Sequence, residues 1–184
     1  MACRKADAGR TELTGDAVDA TTFIGLVLAC APQVHAQTAL ALVGVESGLN
    51  PWAIGVVGGV LDRQPQHRAE ALATARSLWA GGWNFSVGLA QINVGNFARL
   101  GLTPESAFEP CTNLAAMQSV LSECFERAAA IATPAGSKQP TLRRALSCYY
   151  SGSFTTGYRH GYVQKVVAAA SASSLSSPPV PPVD

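Results

Sequence analysis

Charge is what this sequence has least of. Of its 184 residues, 13 are Lys or Arg and 12 are Asp or Glu, 14% in all, against roughly 25% in an average soluble protein. Together with 48% hydrophobic residues, that scarcity excludes a solvated, disordered chain. The net charge is only +1, and the basic residues are scattered, nowhere denser than Arg143-Arg144. Such a balance argues against a nucleic-acid binder, which normally shows a basic surplus. Metal chemistry is equally poorly provided for. His35, His67 and His160 share no ligand spacing and no Cys-x-x-Cys occurs, so no zinc site is expected. Neither a Ser-His-Asp constellation nor a phosphate-cradling glycine loop stands out, and no cofactor is implied. Alternating β patterns are nearly missing: Gly55–Leu61 is the one stretch suited to a short strand or hairpin.

Between Asp19 and Glu46 there is no Asp, Glu, Lys or Arg. A membrane span needs roughly 20 continuous apolar residues. Here Pro32, Gln33, His35, Gln37 and Thr38 divide the run into Phe23–Ala31 and Ala39–Val45, two helices of a globular core. Phe23–Ala29 before Cys30 also mimics the core of an export signal. Its upstream flank holds Glu12, Asp16 and Asp19, where such a signal is basic, so no export signal is evident in this chain.

The remaining punctuation is helical. Residues 1–18 read as a loose arm, residues 19–170 as one domain, and Ser171–Asp184 (SASSLSSPPVPPVD) as a Ser/Pro-rich, polyproline-like tail. Pro32 suits a first helical turn, opening a helix that runs to Ser47 with Gly48 as its C-cap. Arg68–Ala80 forms the next helix, ended by Gly81-Gly82. Asn93 caps Val94–Leu100, and Thr103-Pro104-Glu105 starts another helix. Leu114, Met117, Leu121, Cys124 and Ala128 draw one apolar stripe. Leu142, Ala145, Leu146 and Tyr149 repeat that pattern after Thr141, and Tyr158–Ala170 makes the last helix. The fold expected is a compact, mainly α domain.

Five cysteines suggest an oxidising compartment. Cys3 falls in the arm. Cys30, Cys111, Cys124 and Cys148 allow three pairings, of which Cys124 with Cys148 is preferred because they lie on neighbouring helical patterns. Buried free thiols are the alternative.

Glu46 stands alone at the end of the uncharged run. Helix burial puts its carboxyl beside apolar surroundings, and the last turn of a helix disfavours negative charge. Desolvation and dipole both raise its pKa. A carboxylic acid protonated near neutral pH is what a glycosidic oxygen needs as its proton donor. The competing reading is a partly exposed helix-end Glu with no role.

Three motifs turn this reading toward one family. Val45-Glu46-Ser47-Gly48-Leu49-Asn50-Pro51 resembles the ES-x-x-NP signature of the soluble lytic transglycosylases, which cleave peptidoglycan glycan strands. Gly88-Leu89-Ala90-Gln91-Ile92-Asn93 is similar to their G-L-x-Q-I motif, and Ala145–Gly152 to their A-x-x-x-Y-N-x-G helix. The motifs stand in the family's order and, with Asn113-Leu114, cover residues 30–165. The Gln-Ile-Asn ending, the long segment from Trp52 to Val87 and the Cys-Tyr-Tyr-Ser-Gly form look most like the specialised transglycosylases of type IV secretion and conjugation systems. Those open the cell wall locally.

The resemblance implies a lysozyme-like, mainly α (α+β) fold with a glycan-binding cleft and at most a short β-hairpin. It implies a periplasmic location and peptidoglycan as substrate. Glu46 becomes the catalytic acid. It protonates the oxygen between N-acetylmuramic acid and N-acetylglucosamine, then takes the proton of the muramoyl C6 hydroxyl, which attacks C1 and leaves a 1,6-anhydro end. A single carboxylate suits that route, since ordinary glycosidases use two. Glu105 lies in a helix-first turn, Glu123 is spaced to pair with Arg127, and Asp62 and Glu70 lie in a polar stretch.

Tyr149 takes the family's tyrosine position, where its hydroxyl orients the acid; core packing is its other reading. Gln91 and Asn93 offer amides to sugar acetamido and hydroxyl groups, Asn93 serving equally as an N-cap. Ser86 is placed to hydrogen-bond Glu46. Ser47 contacts the acid or merely finishes the helix, and Trp52 is assigned to the cleft because it follows the acid motif. Tyr150 departs from the family, which usually has Asn there. The tail is the candidate contact for secretion-system components. A wall-binding assembly module without catalysis and a hydrolytic muramidase are the alternative functions.

Overall fold

The structure is a computed structural model that describes residues 17–131 and 138–175. Helix α1 (Ala20–Cys30) begins where the Asp19 carboxylate accepts the backbone N–H groups of Thr21 and Thr22, which would otherwise lack partners. It buries Phe23 and Val27. Helix α2 (Ala36–Ser47) starts later than expected. Pro32 lies in the preceding turn, and His35 is the cap, its Nδ1 accepting from the Gln37 N–H. Gly48, at φ 62°, ends α2 as anticipated. No described helix is long and apolar enough to cross a membrane.

Helix α3 (Arg68–Ala80) matches its expected bounds. A 3₁₀ turn at Val94–Asn96 leads into α4 (Phe97–Leu100), and α5 (Pro104–Ala107) opens on a reciprocal Thr103–Ser106 capping box. The longest helix, α6 (Pro110–Ala129), buries the whole stripe from Leu114 to Ala128. It packs against α1 and α7 (Lys138–Ser151). The expected last helix is split by Gly161 (φ 74°) into α8 (Thr156–Arg159) and α9 (Tyr162–Leu175).

Helix α9 crosses α2 and continues past the expected boundary at residue 170. At the other end Val18 is buried and donates its N–H to the Leu49 carbonyl, so packing begins inside the segment assigned to the arm. The rest of the arm, residues 1–16, and tail residues 176–184 lie outside the described residues.

The small sheet is antiparallel, in the order β1 (Ile54–Val56), β2 (Phe85–Val87), β3 (Ile92–Asn93). Only the first strand touches the stretch expected to form a hairpin. Its partner is the distant β2, with Ile54 opposite Val87 and Val56 opposite Phe85. Strands of two or three residues are too short to display an alternation.

Two disulfides bind the helices together. Cys30–Cys111 ties the end of α1 to the start of α6, and Cys124–Cys148 ties α6 to α7, the preferred pairing.

Asn113 is a buried polar post inside this apolar frame. Its Oδ1 accepts the Ala90 N–H at 2.8 Å, while Nδ2 donates to the carbonyls of Val87 (3.0 Å) and Ala107 (2.8 Å). It thereby fixes the β2–β3 turn to α6. Gly88 makes the close approach possible: at φ 79°, a Cβ on it would lie 2.4 Å from Asn113 Nδ2. Asn113→Leu is expected to destabilise the fold by about 3 kcal/mol, because it strands three backbone groups away from water. Urea unfolding measures it; a loss under 1 kcal/mol would mean the turn does not depend on this post.

Candidate active site

The fold draws the three sequence motifs to one cleft of about 710 Å³ between the sheet and the α6–α7 pair. Glu46, in the last turn of α2, lies in its wall. Its carboxyl is largely withdrawn from water, and that desolvation pushes its pKa up to about 7; the hydrogen bond it receives acts the other way. The bond comes from Tyr162 at the start of α9, whose hydroxyl donates to Glu46 Oε1 at 2.5 Å. Burial and the neighbouring Glu46 charge together raise the Tyr162 hydroxyl far above the ordinary tyrosine range, so it stays a donor.

Tyr162 is the site residue that sequence reasoning missed. Tyr149, expected to orient the acid, donates instead to the Ala90 carbonyl at 2.6 Å. It braces the β2–β3 turn from the α7 side. Burial raises its pKa first and the Glu46 charge second, so it stands near the acid without bonding it. Tyr150, beside it, lines the cleft and stacks on Tyr162, ring centroids 4.6 Å apart, with its hydroxyl 3.2 Å from His160 Nδ1.

Gln91 lines the cleft in a left-handed conformation (φ 49°). Its Nε2 holds the carbonyls of Ala53 and Gly88, each at 3.0 Å. Its Oε1 occupies the space beside Gly55, where a Cβ would come within 2.8 Å. Asn93 takes the cap role its position offered, and its amide nitrogen is engaged by neighbours at the cleft. Its Oδ1 caps the 3₁₀ turn at the Gly95 N–H, and Nδ2 faces Asn84 (2.7 Å) and Ser86 (3.2 Å) at the cleft.

Ser86 lines the cleft too, but its hydroxyl meets Asn93 and makes no bond with Glu46. Ser47 finishes its helix by bonding the Val43 carbonyl. Trp52 is a correction. It is 5% exposed and packs on Phe108 at 6.4 Å, because the reversal at Gly48 and Leu49, both at positive φ, turns the following residues inward.

Among the described residues two carboxylates line the cleft, Glu46 and Glu123. Glu123 was expected to pair with Arg127 one turn along α6; it reaches across to Arg99 of α4 instead, at 3.0 Å. No group of three or more His, Cys, Asp or Glu among the described residues is arranged to hold a metal ion.

The family model described as the transglycosylase SLT domain matches residues 26–169. The chain belongs to this family. A type IV secretion system protein virB1 of Brucella abortus biovar 1 is 51% identical over 153 residues, covering 80% of this chain and 63% of that protein. A protein virB1 of Agrobacterium fabrum is 39% identical over 143 residues, covering 77% of this chain and 56% of its own. The chain thus spans about six-tenths of the length of the curated relatives it matches. No solved structure matches it significantly.

Within this transglycosylase-family site, Tyr162→Phe removes a bond that favours ionised Glu46, so the acid's pKa should rise further. The alkaline limb of activity should move up by about one pH unit, with reduced turnover. A pH–rate profile in which that limb stays put would show that the bond does not control the acid.

Proposed function

We propose that this protein is a lytic transglycosylase of peptidoglycan, acting in the periplasm to open the wall locally for a type IV secretion system. The reading rests on one observation above all: a single carboxyl, raised to about 7 by burial, opens on a polar cleft and is steadied by a tyrosine hydroxyl. Protonated at neutral pH, Glu46 gives its proton to the glycosidic oxygen joining N-acetylmuramic acid to N-acetylglucosamine. The carboxylate so formed takes the proton of the muramoyl C6 hydroxyl as that oxygen closes on C1. The bond to the leaving sugar breaks, and one 1,6-anhydro end forms without water.

The other cleft carboxylate favours this route over hydrolysis with two acids. Glu123 is held by Arg99, which suits it poorly to serve as a base or nucleophile. Asn84, Asn93 and Gln91 supply polar lining for acetamido and hydroxyl groups. Tyr149 and Asn113 act one step back, fixing the turn that carries Gln91. The link to type IV secretion is supported by the printed name of the Brucella abortus relative. Recruitment of secretion components through the Ser/Pro tail belongs to the same proposal.

Mass spectrometry of muropeptides released from purified peptidoglycan tests the chemistry. Anhydro ends are expected. Reducing ends alone would identify a hydrolytic muramidase, and no new ends with wild-type protein would leave a binding module.

A further inference from the structure

Arg127 projects from the last turn of α6 into the cleft wall and makes no ion pair among the described residues. Glu123, one turn back on the same helix face, is taken by Arg99, and Glu126, next to it in the chain, lines a different pocket. What Arg127 has instead is a seat. Its guanidinium carbon lies 5.4 Å from the Phe154 ring centroid, and Nη1 is 3.6 Å from Cys148 Sγ, beside the Cys124–Cys148 disulfide. An aromatic face and a sulfur hold the planar group in place while satisfying one of its five N–H donors. A guanidinium fixed in this way, with its remaining donors open to a cleft, is arranged for bidentate capture of a carboxylate.

Accepting the peptidoglycan reading above, we infer that Arg127 is a carboxylate site that recognises the stem peptide of the glycan. The sugars' hydroxyl and acetamido groups are neutral, whereas the peptide carried on the muramoyl lactyl group bears free carboxylates. Glycan strands stripped of peptide offer this arginine nothing equivalent. The cleft thus divides its tasks: Glu46 works on the glycosidic bond, and Arg127 senses whether the strand is still peptide-substituted. Neither Arg127 nor Arg99 contributes to the shift at Glu46, which comes from burial and Tyr162 alone.

Binding of soluble muropeptides to Glu46→Gln protein, followed by calorimetry, tests the inference without turnover. Three ligands are compared: the peptide-bearing disaccharide, the same disaccharide without peptide, and the peptide-bearing form with its carboxylates amidated. The first should bind about tenfold more tightly than the other two, from an interaction of about 1.5 kcal/mol. Adding Arg127→Ala should erase the difference, and Arg127→Lys should restore part of it. Amidation alters only the ligand, so a folding defect in a variant cannot imitate the result.

Equal affinity for the three ligands, or a preference that persists in Arg127→Ala, would overturn the carboxylate site. So would the absence of any binding. Peptide-dependent binding by a protein whose wild type cuts no glycan would uphold this site while removing the catalytic proposal.

Discussion

Glu46→Gln is expected to lower glycan cleavage by about 10³-fold or more and, at the same time, to make the protein more stable at pH 8. The loss follows from removing the proton donor, since a positioned general acid contributes roughly 10²–10⁴-fold and the proposed route has no second carboxyl to substitute. The gain follows from the pKa. In the folded protein Glu46 titrates at about 7 rather than 4.5. Between those values the folded state keeps a proton that the unfolded chain has released, so stability falls as pH rises through the window.

Above it, the native protein carries a buried charge at a cost of about 3 kcal/mol. Gln accepts the Tyr162 hydroxyl without that charge. Melting temperatures of the two proteins should agree near pH 4.5 and differ by about 6–12 °C at pH 8. If they track each other across the whole range, the carboxyl is solvated and the proposed acid is lost with it. The same titration sets the wild-type profile: cleavage should decline as pH climbs past about 7.

The second large effect concerns the Cys30–Cys111 bridge. Removing both thiols as Cys30→Ser/Cys111→Ser should cost about 4 kcal/mol, because the bridge spans 81 residues and a long loop gains much entropy when released. The Cys124–Cys148 bridge spans 24 and should cost about 1 kcal/mol less on the same chain-entropy argument. Neither Cys30 nor Cys111 lines the cleft, whereas Cys124 and Cys148 both do. The first double variant should therefore melt lower yet keep its KM below that melt, while the second should also bind substrate more weakly. Chemical denaturation and steady-state kinetics together decide it. A larger loss from the shorter loop would show that native packing, rather than the unfolded chain, is what these bridges act upon.

How much could be read beforehand depended on where each signal lay. The α6 stripe, α3 and the Gly48 cap are local patterns, and each was legible because a few neighbouring residues dictate it. Glu46 was legible for a different reason, as one acid after a long uncharged stretch. Tyr162 was not, because nothing nearby marks it: it opens a plain helix, and only the crossing of α9 over α2 carries its hydroxyl to the acid. The partner of Tyr149 was not legible either, since its reach to the Ala90 carbonyl depends on a turn held by Asn113.

Trp52 failed because sequence adjacency to a site residue says little about direction after a left-handed reversal. Glu123 failed because a partner on another helix, Arg99, outbid the helical neighbour that spacing suggests. Of the sheet, only the overlap of β1 with Gly55–Leu61 was legible. Its strands are too brief to show periodicity, and β1 finds its mate across the entire α3 segment.

The Arg99–Glu123–Arg127 wall and the Glu46 pocket also meet dissolved ions differently. The first is exposed and the second is enclosed. Moving from about 0.01 M to 0.15 M salt contracts the Debye length from roughly 30 to 8 Å, which weakens any pull of surface guanidinium groups on an anionic strand. A desolvated acid tied to a phenol is scarcely reached by that atmosphere. Ionic strength should therefore loosen the grip on the polymer while leaving the titration midpoint of the cutting step where it was.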